Sequence, residues 1–560
     1  MNNKVLYLAL GVALLGTTSC SKKLGEFQSN YFNTTPTPLE TVGMNVPATI
    51  TGNVPAKFMV KNAKVTATPV LVYEGGEFSG TPVVFQGENV RANGQVVSYN
   101  QGGTVSIPFN TEYKPEMAQS DLYLDFQVDQ NGKLYGLPRV KVGEGIIATS
   151  TLASAASVTP AIAKDKFQRV INEKYNADIR FLINQANIRQ NQIDAPDYVD
   201  LNKRLLEANA AANQEIAGVN IASYASPDGT LAFNTELAEQ REANTTRFME
   251  NQLKKDKITE FGELTSSFTP EDWEGFQQLV SKSNIQDKDL ILQVLQMYKD
   301  PEQREQEIRN LSSVFNELAD QILPQLRYSR IQASINVIGK SDEELINLFN
   351  TDPKALTEDE ILYVATLTND NTRKMEVYQK ATELFPKSYR AYNNLGLTKY
   401  EAGDYAAAAS NFAKAKQLDP TSKEVDMNLG LVDLVNGNYN KANELLGAAA
   451  GVPEAADALG VYYLTQGEVA KANNAFGSSK TNNSALAKIL AKDYSAATSI
   501  LSSIQNPDAD TYYLAAIVAA NTNNESGVLS NLQKAASLDS SIIEKAKKNL
   551  LFSKFNLGAL

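Results

Sequence analysis

The chain has 560 residues, and its 52 Lys and Arg against 64 Asp and Glu give a formal net charge of −12. This balance excludes the basic face that nucleic-acid-binding proteins normally carry. His is absent and Cys occurs once, which excludes His-based catalysis, His and Cys-cluster metal sites, and internal disulfides. At roughly 150 residues per domain, the length fits about four domains.

An apolar run near the amino terminus is closely followed by the single Cys. Residues 5–15 are apolar, Lys4 precedes them, and Cys20 follows. A membrane span needs about 20 apolar residues, so this run has the length of a secretion signal instead. The arrangement resembles a bacterial lipoprotein signal, which implies removal of residues 1–19 and acylation of Cys20. This covalent lipid is the only non-protein group expected, with no metal or other cofactor.

The resemblance implies attachment to the outer membrane, because several acyl chains at about 0.8 kcal/mol per buried CH₂ hold a protein firmly. The residues after the Cys, Ser21-Lys22-Lys23, are basic. Some bacterial phyla use an acidic cluster there for export to the cell surface, so the basic residues favour the periplasmic face. Residues 20–55 carry Thr34-Thr35-Pro36-Thr37-Pro38 and few large apolar residues, which predicts an extended tether.

Residues 56–150 show the alternation of strands with one buried face, as in 122–128, where every second residue is apolar. Asn131-Gly132 and Asn93-Gly94 each predict a β-hairpin turn. Repeated short strands with such turns predict an all-β sandwich. Four carboxylates are interpreted as solvated strand-edge groups and not as cation ligands: Glu74, Glu77, Glu88 and Glu112.

Residues 165–340 change to an α/β pattern. The sequence predicts a strand from Ala177 to Ile188, an amphipathic helix around 201–212, a strand at Val219–Ala225 and a helix at 234–257. This alternation predicts an α/β sandwich.

Three stretches of this region resemble the OmpA-like peptidoglycan-binding family: Phe181-x2-Asn184-x3-Ile188, then Ser223-Tyr224-Ala225-Ser226-Pro227-Asp228-Gly229, then Asn234, Leu237 and Arg241. In that family an Asp and an Arg hold the diaminopimelate of the wall peptide, because a zwitterionic end needs an anion and a guanidinium. The resemblance implies four candidate peptidoglycan-binding residues: Ser226, Asp228, Asn234 and Arg241. Ser226 stands where the family has Asp, which weakens ammonium binding by about 1.5–3 kcal/mol. Wall binding and its loss therefore both remain open.

Residues 258–328 are predicted to form a helical insertion in the OmpA-like domain. The stretch Thr269-Pro270-Glu271-Asp272 predicts a helix capped by its Thr. The third strand of the family does not follow directly, and the alternation over 331–337 supplies the missing strand. Trp273, the only Trp, is interpreted as a buried anchor of the insertion and not as a ligand platform.

Residues 341–560 carry an internal repeat. Leu395-Gly396 recurs as Leu429-Gly430, 34 residues later, and a shortened copy has Leu459-Gly460. The repeat resembles the tetratricopeptide repeat, which implies an all-α solenoid of stacked helix pairs. Its predicted core comprises Tyr378, Ala381, Leu395, Gly396, Tyr405, Ala408, Phe412, Ala415, Leu429, Gly430, Tyr439, Ala442, Leu446, Leu459, Gly460, Ala472 and Phe476.

Arrays of this type present a concave surface to partner proteins or peptides. Five polar residues on or near the first-helix faces are candidate contacts: Asn393, Asn394, Lys399, Asn428 and Asp433. Capping boxes at Ser341–Glu344 and Thr357–Glu360 predict that helices of the array begin before the first clear repeat.

All three regions are binding modules, and no facing pair of carboxylates stands out, so the sequence predicts a non-enzymatic protein. The leading hypothesis is an outer-membrane lipoprotein that acts as an envelope scaffold. Its array binds proteins, and its OmpA-like domain binds peptidoglycan. The alternative is a subunit of an outer-membrane assembly or secretion complex whose OmpA-like domain no longer binds the wall. Nucleic acid is not an expected partner.

Overall fold

The computed structural model describes residues 23–285, 287–310 and 312–559. They divide into two units, one formed by residues up to Lys164 together with those from Thr368 onward, the other by Asp165–Leu367. The β-rich amino-terminal region and the carboxy-terminal helices, predicted as separate domains, are therefore parts of one unit. The predicted signal peptide and Cys20 lie outside the described residues.

Two sheets share one hydrophobic core in the amino-terminal region. The smaller sheet has the order β1-β3-β8, and the larger has β10-β9-β4-β6-β7 with β5 on β4. Their facing side chains, such as Ile50 and Ile107 against Val65 and Leu124, are fully buried. The strands are β1 (Phe32–Thr35), β2 (Leu39–Glu40), β3 (Ala48–Val54), β4 (Ala63–Tyr73), β5 (Gly76–Ser79), β6 (Val83–Gly87), β7 (Gln95–Val97), β8 (Gly103–Phe109), β9 (Ser120–Gln130), β10 (Lys133–Glu144) and β11 (Ile146–Ile147).

One of the two predicted hairpins is present. Asn131-Gly132 joins β9 to β10, and both residues have positive φ, as a two-residue hairpin turn requires. The Asn93-Gly94 prediction is wrong, because β7 pairs with β6 in parallel. The side-chain amide of Gln86 donates to the carbonyls of Val90 and Ala92 and accepts from the Gly94 amide, so it holds a wider connection there.

The predicted tether at 20–55 is folded from residue 24 onward. Leu24, Phe27 and Val46 are buried in the core of the two sheets, and β1, β2 and β3 fall within this stretch. Pro36 and Pro38 lie in the turn between β1 and β2. The stretch reads as a spacer because its large apolar residues are few. Six of them are nevertheless buried, which are Leu24, Phe27, Leu39, Val46, Ile50 and Val54.

The second unit is built on a four-stranded sheet with helices on one face. The strand order is β12-β15-β13-β14, with β14 parallel to β13 and the other pairs antiparallel. Leu205 on α2 and Met249 on α3 pack on Ile221 and Ile331 of the sheet. The elements are β12 (Val170–Arg180), α1 (Gln190–Ile193), α2 (Pro196–Ala210), β13 (Gln214–Tyr224), α3 (Leu231–Lys255), β14 (Glu263–Thr269), α4 (Trp273–Lys282), α5 (Lys288–Met297), α6 (Pro301–Asn310), α7 (Ser312–Gln321), β15 (Tyr328–Ile338), α8 (Asp342–Thr351) and α9 (Glu358–Val364).

The helical insertion is shorter than the predicted 258–328, because β14 lies at its start. This strand is mostly exposed at the sheet edge, so it lacks the apolar alternation that marks a half-buried strand. The helices begin only at Trp273, and their cap is Asp272, whose side chain accepts from the Gly275 amide at 2.8 Å, not Thr269. Trp273 is half-buried among the side chains of the insertion, with its ring 5.7 Å from that of Phe276.

Helices α8 and α9 belong to the second unit and not to the array. Both predicted capping boxes are formed. A capping box fixes where a helix begins but does not say what the helix packs on. Here the Tyr363 ring lies 4.4 Å from that of Phe167, and the Arg169 guanidinium donates to the Lys340 carbonyl at 2.9 Å. These contacts join α8 and α9 to the segment that leads into β12.

The carboxy-terminal region is an array of antiparallel helix pairs. Small and large residues alternate across each pair, so that an added Cβ on Gly396 would lie 2.6 Å from the Phe412 ring and one on Gly460 2.5 Å from the Phe476 ring. The helices are α10 (Asn371–Leu384), α11 (Tyr389–Glu401), α12 (Tyr405–Leu418), α13 (Lys423–Val435), α14 (Tyr439–Ala448), α15 (Ala455–Thr465), α16 (Val469–Phe476), α17 (Asn482–Leu490), α18 (Tyr494–Ser503), α19 (Ala509–Asn521), α20 (Glu525–Leu538) and α21 (Ile542–Lys548). Within the described ranges no helix is long and apolar enough to cross a membrane.

The predicted repeat core is buried, apart from four partly exposed members, which are Tyr405, Leu429, Tyr439 and Leu459. The array also packs directly on the two-sheet region. An added Cβ on Gly43 would lie 2.3 Å from the Thr465 carbonyl oxygen, which is a close main-chain approach between the two regions of this unit.

We expect Gly396→Ala to destabilise the array although Ala favours a helix. The new methyl group meets the fully buried Phe412 ring, and such overpacking costs about 1–3 kcal/mol. The control is Gly447→Ala at an exposed position of α14, where the added methyl group meets nothing within 4 Å. There the higher helix propensity of Ala adds up to ~1 kcal/mol to the stability. Urea unfolding followed by circular dichroism measures both midpoints. A midpoint of Gly396→Ala at or above that of the native chain would show that the close crossing is not required.

Candidate functional site

A row of buried asparagines lines one face of the first helices of the array. Asn394 on α11 directly precedes Leu395-Gly396, and Asn428 on α13 directly precedes Leu429-Gly430. The repeat therefore places these two amides at the same position of successive helix pairs. Asn393, beside them, and Asn483 on α17 share the row, and all four are at most 4% exposed.

The asparagines hold the main chain of a segment of the same unit, residues 154–164, which we name the inner segment. The Asn428 side chain accepts from the Ala161 amide and donates to the Ala161 carbonyl, both at 2.7 Å. Asn394 does the same with Ala163, at 2.9 Å in both directions. A side-chain amide carries one acceptor and two donor hydrogens, so each Asn meets both polar groups of one residue.

The same recognition recurs at the other end of the inner segment. Asn483 accepts from the Ser154 amide at 2.9 Å and donates to the Ser154 carbonyl at 2.8 Å. The Tyr400 hydroxyl donates to the Ala155 carbonyl at 2.8 Å, and burial raises the Tyr400 pKa above its ordinary range. This hydroxyl therefore stays protonated as a donor. Each such bond contributes about 0.5–1.5 kcal/mol.

The network also links the asparagines with one another. Asn393 donates to the Ala161 carbonyl at 3.0 Å and to the Asn394 side chain at 3.2 Å, and it accepts from Asn428 at 2.9 Å. The three amides and the inner segment thus form one buried hydrogen-bonded unit, in which each bond fixes the orientation of the next.

The inner segment also contributes apolar contacts. Val158 and Ala161 belong to the main hydrophobic core of the array, and Pro160 and Ala163 are buried as well, while Thr159 and Lys164 are exposed. Ala155–Ser157 form one 3₁₀ turn, and from Val158 onward the segment is extended, with one face in the array and the other toward solvent.

Three of the five candidate partner contacts, Asn393, Asn394 and Asn428, are thus occupied within the chain. Asp433 pairs instead with Lys441 at 3.0 Å and accepts from Asn438 at 3.0 Å, and Lys399 is half-exposed on α11. Sequence reasoning missed the inner segment, Asn483 and Tyr400. The recurrence of Asn before Leu-Gly was a signal for Asn394 and Asn428, which we call the clamps. Nothing in the sequence of the inner segment marks it as the group that they bind.

The candidate peptidoglycan-binding residues gather at the carboxyl end of β13. Ser226 donates to the Asp228 carboxylate at 2.7 Å, and Arg327 donates to Ser226 at 3.1 Å and to Asp228 at 2.9 Å. Arg309 on α6 donates to the Asp228 main-chain carbonyl at 2.6 Å. Both arginines come from the insertion or its end, so the insertion supplies the cations that close over this turn.

Arg241 has no exposed surface. Its guanidinium donates to three main-chain carbonyls, of Gln185 at 3.0 Å, Tyr224 at 2.8 Å and Leu182 at 3.4 Å. Burial lowers the Arg241 pKa to about 10, so the group stays charged at neutral pH. Its N–H groups donate to the residues that follow β12 and to the end of β13. A ligand carboxylate would need these same N–H groups.

Asn234 is likewise turned inward, at 2% exposure, and donates to the Gly229 carbonyl at 3.0 Å. The structure therefore brings the four candidate residues together, but their polar groups are used by the protein itself. In the described part of the chain no three His, Cys, Asp or Glu side chains are close enough together to hold a metal ion.

No protein-family model matches the chain, and no curated protein matches it significantly. Solved structures are similar to its carboxy-terminal part. The structure of the APC/C hetero-tetramer Cut9-Hcn1 is 18% identical with a TM-score of 0.32, and the match covers 36% of this chain and 44% of that one.

Two further matches cover most of a bacterial protein each. A tetratricopeptide repeat protein from Parabacteroides merdae is 15% identical with a TM-score of 0.30, over 37% of this chain and 91% of that one. PilF of Pseudomonas aeruginosa is 16% identical with a TM-score of 0.27, over 36% and 95%. The assignment of the array as tetratricopeptide repeats rests on its own period and helix pairs.

We expect Arg241→Met to destabilise the α/β unit. The substitution leaves buried carbonyls without donors, at about 1–3 kcal/mol for each. Arg247→Met on the exposed face of the same helix is the matched control and should leave stability unchanged. Thermal unfolding of both variants measures the difference. An Arg241→Met protein as stable as the native chain would contradict a structural role for this guanidinium.

Proposed function

We propose that this protein is a non-enzymatic, lipid-anchored scaffold of the bacterial envelope, which binds other polypeptides through the inner face of its repeat array. The observation that carries the proposal is the pair of clamps at Asn394 and Asn428, each of which holds both main-chain groups of one residue. A surface with this chemistry recognises the main-chain groups of an extended chain, so it suits polypeptide partners.

The anchor is proposed from the sequence alone. The apolar run and Cys20 resemble a lipoprotein signal, and several acyl chains hold a protein on a membrane without a spanning helix. The first described residues lead within a few positions into the folded two-sheet region. We therefore propose that the unit carrying the array is held near the outer membrane on its periplasmic face.

We further propose that the α/β unit is an OmpA-like domain that no longer binds the wall. The succession β12, α2, β13, α3 and β14 supports the resemblance, since β14 follows α3 directly as the third strand. The strand predicted over 331–337 as the third is the fourth, β15. Closure by Arg327 supports the loss of binding. A ligand ammonium would have to displace this guanidinium from Asp228, and a ligand carboxylate would have to displace the carbonyls from Arg241. These features favour a subunit of an outer-membrane assembly or secretion complex over a wall-binding protein.

Crosslinking in intact cells tests the proposed scaffold. We expect a defined polypeptide to co-purify with the full-length chain in fixed ratio and to be lost when Asn394 and Asn428 are both changed to Ala. The matched control is Asn440→Ala, at an exposed position of α14. Isolated sacculi should not retain the native chain. Retention of the native chain on sacculi would contradict the proposal in favour of peptidoglycan binding.

Fractionation tests the anchor. We expect the native chain in the outer-membrane fraction, labelled by a fatty-acid analogue, and the Cys20→Ser chain unlabelled, because the thiol is the acceptor. The Ser21→Ala chain serves as control and should stay labelled. A Cys20→Ser chain that still fractionates with the outer membrane and carries label would exclude this residue as the acylation site.

A further inference from the structure

The groove formed by the asparagine row already contains a ligand, which is part of the same chain. The inner segment follows the last strand of the two-sheet region and ends at Lys164, the last residue before the second unit. Its clamped groups are main-chain groups, which another extended polypeptide with small side chains at these positions also offers. Occupancy of the groove is therefore open to competition from another chain.

We infer that the inner segment is an internal ligand of the groove, which the polypeptide partner of the proposed function displaces. The inference rests on the proposed function, and it also states the chemistry of the partner. Ala161 and Ala163 are 1% and 2% exposed, so a side chain much larger than Ala does not fit at either clamp. Each clamp also accepts from an N–H group, which excludes Pro at both positions.

The charge of the inner segment further restricts which polypeptides can replace it. Its buried residues are Val158, Pro160, Ala161 and Ala163, and its only charged residue is the exposed Lys164. The partner is therefore an extended, uncharged stretch with small residues two apart and aliphatic residues before them. A partner recognised by its charge, such as an acidic carboxy-terminal tail, finds no matching free group among the clamps.

Tethering makes the internal ligand a strong competitor. A segment held at a short distance has an effective concentration on the order of millimolar. A free peptide that makes the same contacts then binds the native chain with an apparent Kd of about a millimolar, even where its intrinsic affinity is much tighter. Weakening the internal ligand alone uncovers the intrinsic affinity.

A peptide titration tests the inference. The probe is a fluorescent peptide with the sequence of residues 153–165, added to the full-length chain in detergent. The variant is Ala161→Pro with Ala163→Pro, which removes both N–H donors to the clamps while the segment stays extended. We expect the variant to bind the probe at least about tenfold more tightly than the native chain.

The clamps are tested in the same titration. Adding Asn394→Ala and Asn428→Ala to the variant should weaken binding about tenfold or more, whereas adding Asn440→Ala should not. Replacing residues 154–164 by Gly and Ser at equal length is the second variant, used if circular dichroism shows that the proline variant is unfolded. Equal affinity of the native chain and a folded variant, or no binding by a folded variant, would overturn the inference.

The titration tests the internal ligand, and the crosslinking experiment tests the scaffold function, so a negative result in one does not decide the other. Probe binding as expected, without any polypeptide recovered from cells, keeps the internal ligand and rejects the scaffold function. A partner recovered from cells and lost with the two clamps, without probe binding to either folded variant, rejects the internal ligand alone.

Discussion

The structure depends on one requirement, that the main-chain groups of an extended segment buried in a helical array must be hydrogen-bonded. A buried amide or carbonyl without a partner costs about 1–3 kcal/mol, and an extended strand inside helices finds no neighbouring strand to pair with. Asn394, Asn428 and Asn483 meet this requirement with both side-chain groups. The inner segment in this way becomes part of the core of the array, and the two-sheet region and the array become one unit.

The same residue types serve a different purpose in the α/β unit. There the buried Arg241 donates to main-chain carbonyls, and Arg327 and Asp228 form a partly buried ion pair. The cations come from the insertion, Arg309 on α6 and Arg327 just before β15. The Asp228 carboxylate is therefore paired with a guanidinium of the same chain. The resemblance of the sequence to a binding family thus coexists with a closed site.

The sequence predicted what depends on local periodicity. The 34-residue recurrence of Leu-Gly located the helix pairs, because a Gly lies against a large side chain where the two helices cross, as Gly396 does against Phe412. The alternation over 122–128 located β9, and the Asn131-Gly132 turn located its hairpin, because both are set by neighbouring residues.

The errors concern pairing over long distances in the chain. The stretch at 20–55 reads as a tether because its strands bury few but well-spaced apolar residues. The edge strand β14 has too little buried surface to show alternation. The inner segment carries no pattern at all, since its recognition is through the main chain, and only the repeated Asn before Leu-Gly pointed toward it. The four candidate peptidoglycan-binding residues lie close together, but the arginines that bind Asp228 come from about 80 and 100 residues further along the chain.

Hydrogen exchange of the Ala161 and Ala163 amides in the full-length chain tests the central claim most directly. These amides lie outside any helix or sheet ladder, and each donates to an asparagine side chain. Slow exchange in the native chain, and fast exchange after Asn394→Ala and Asn428→Ala with the helices still protected, is the predicted result. Fast exchange of both amides in the native chain would contradict the claim that the array holds its own inner segment.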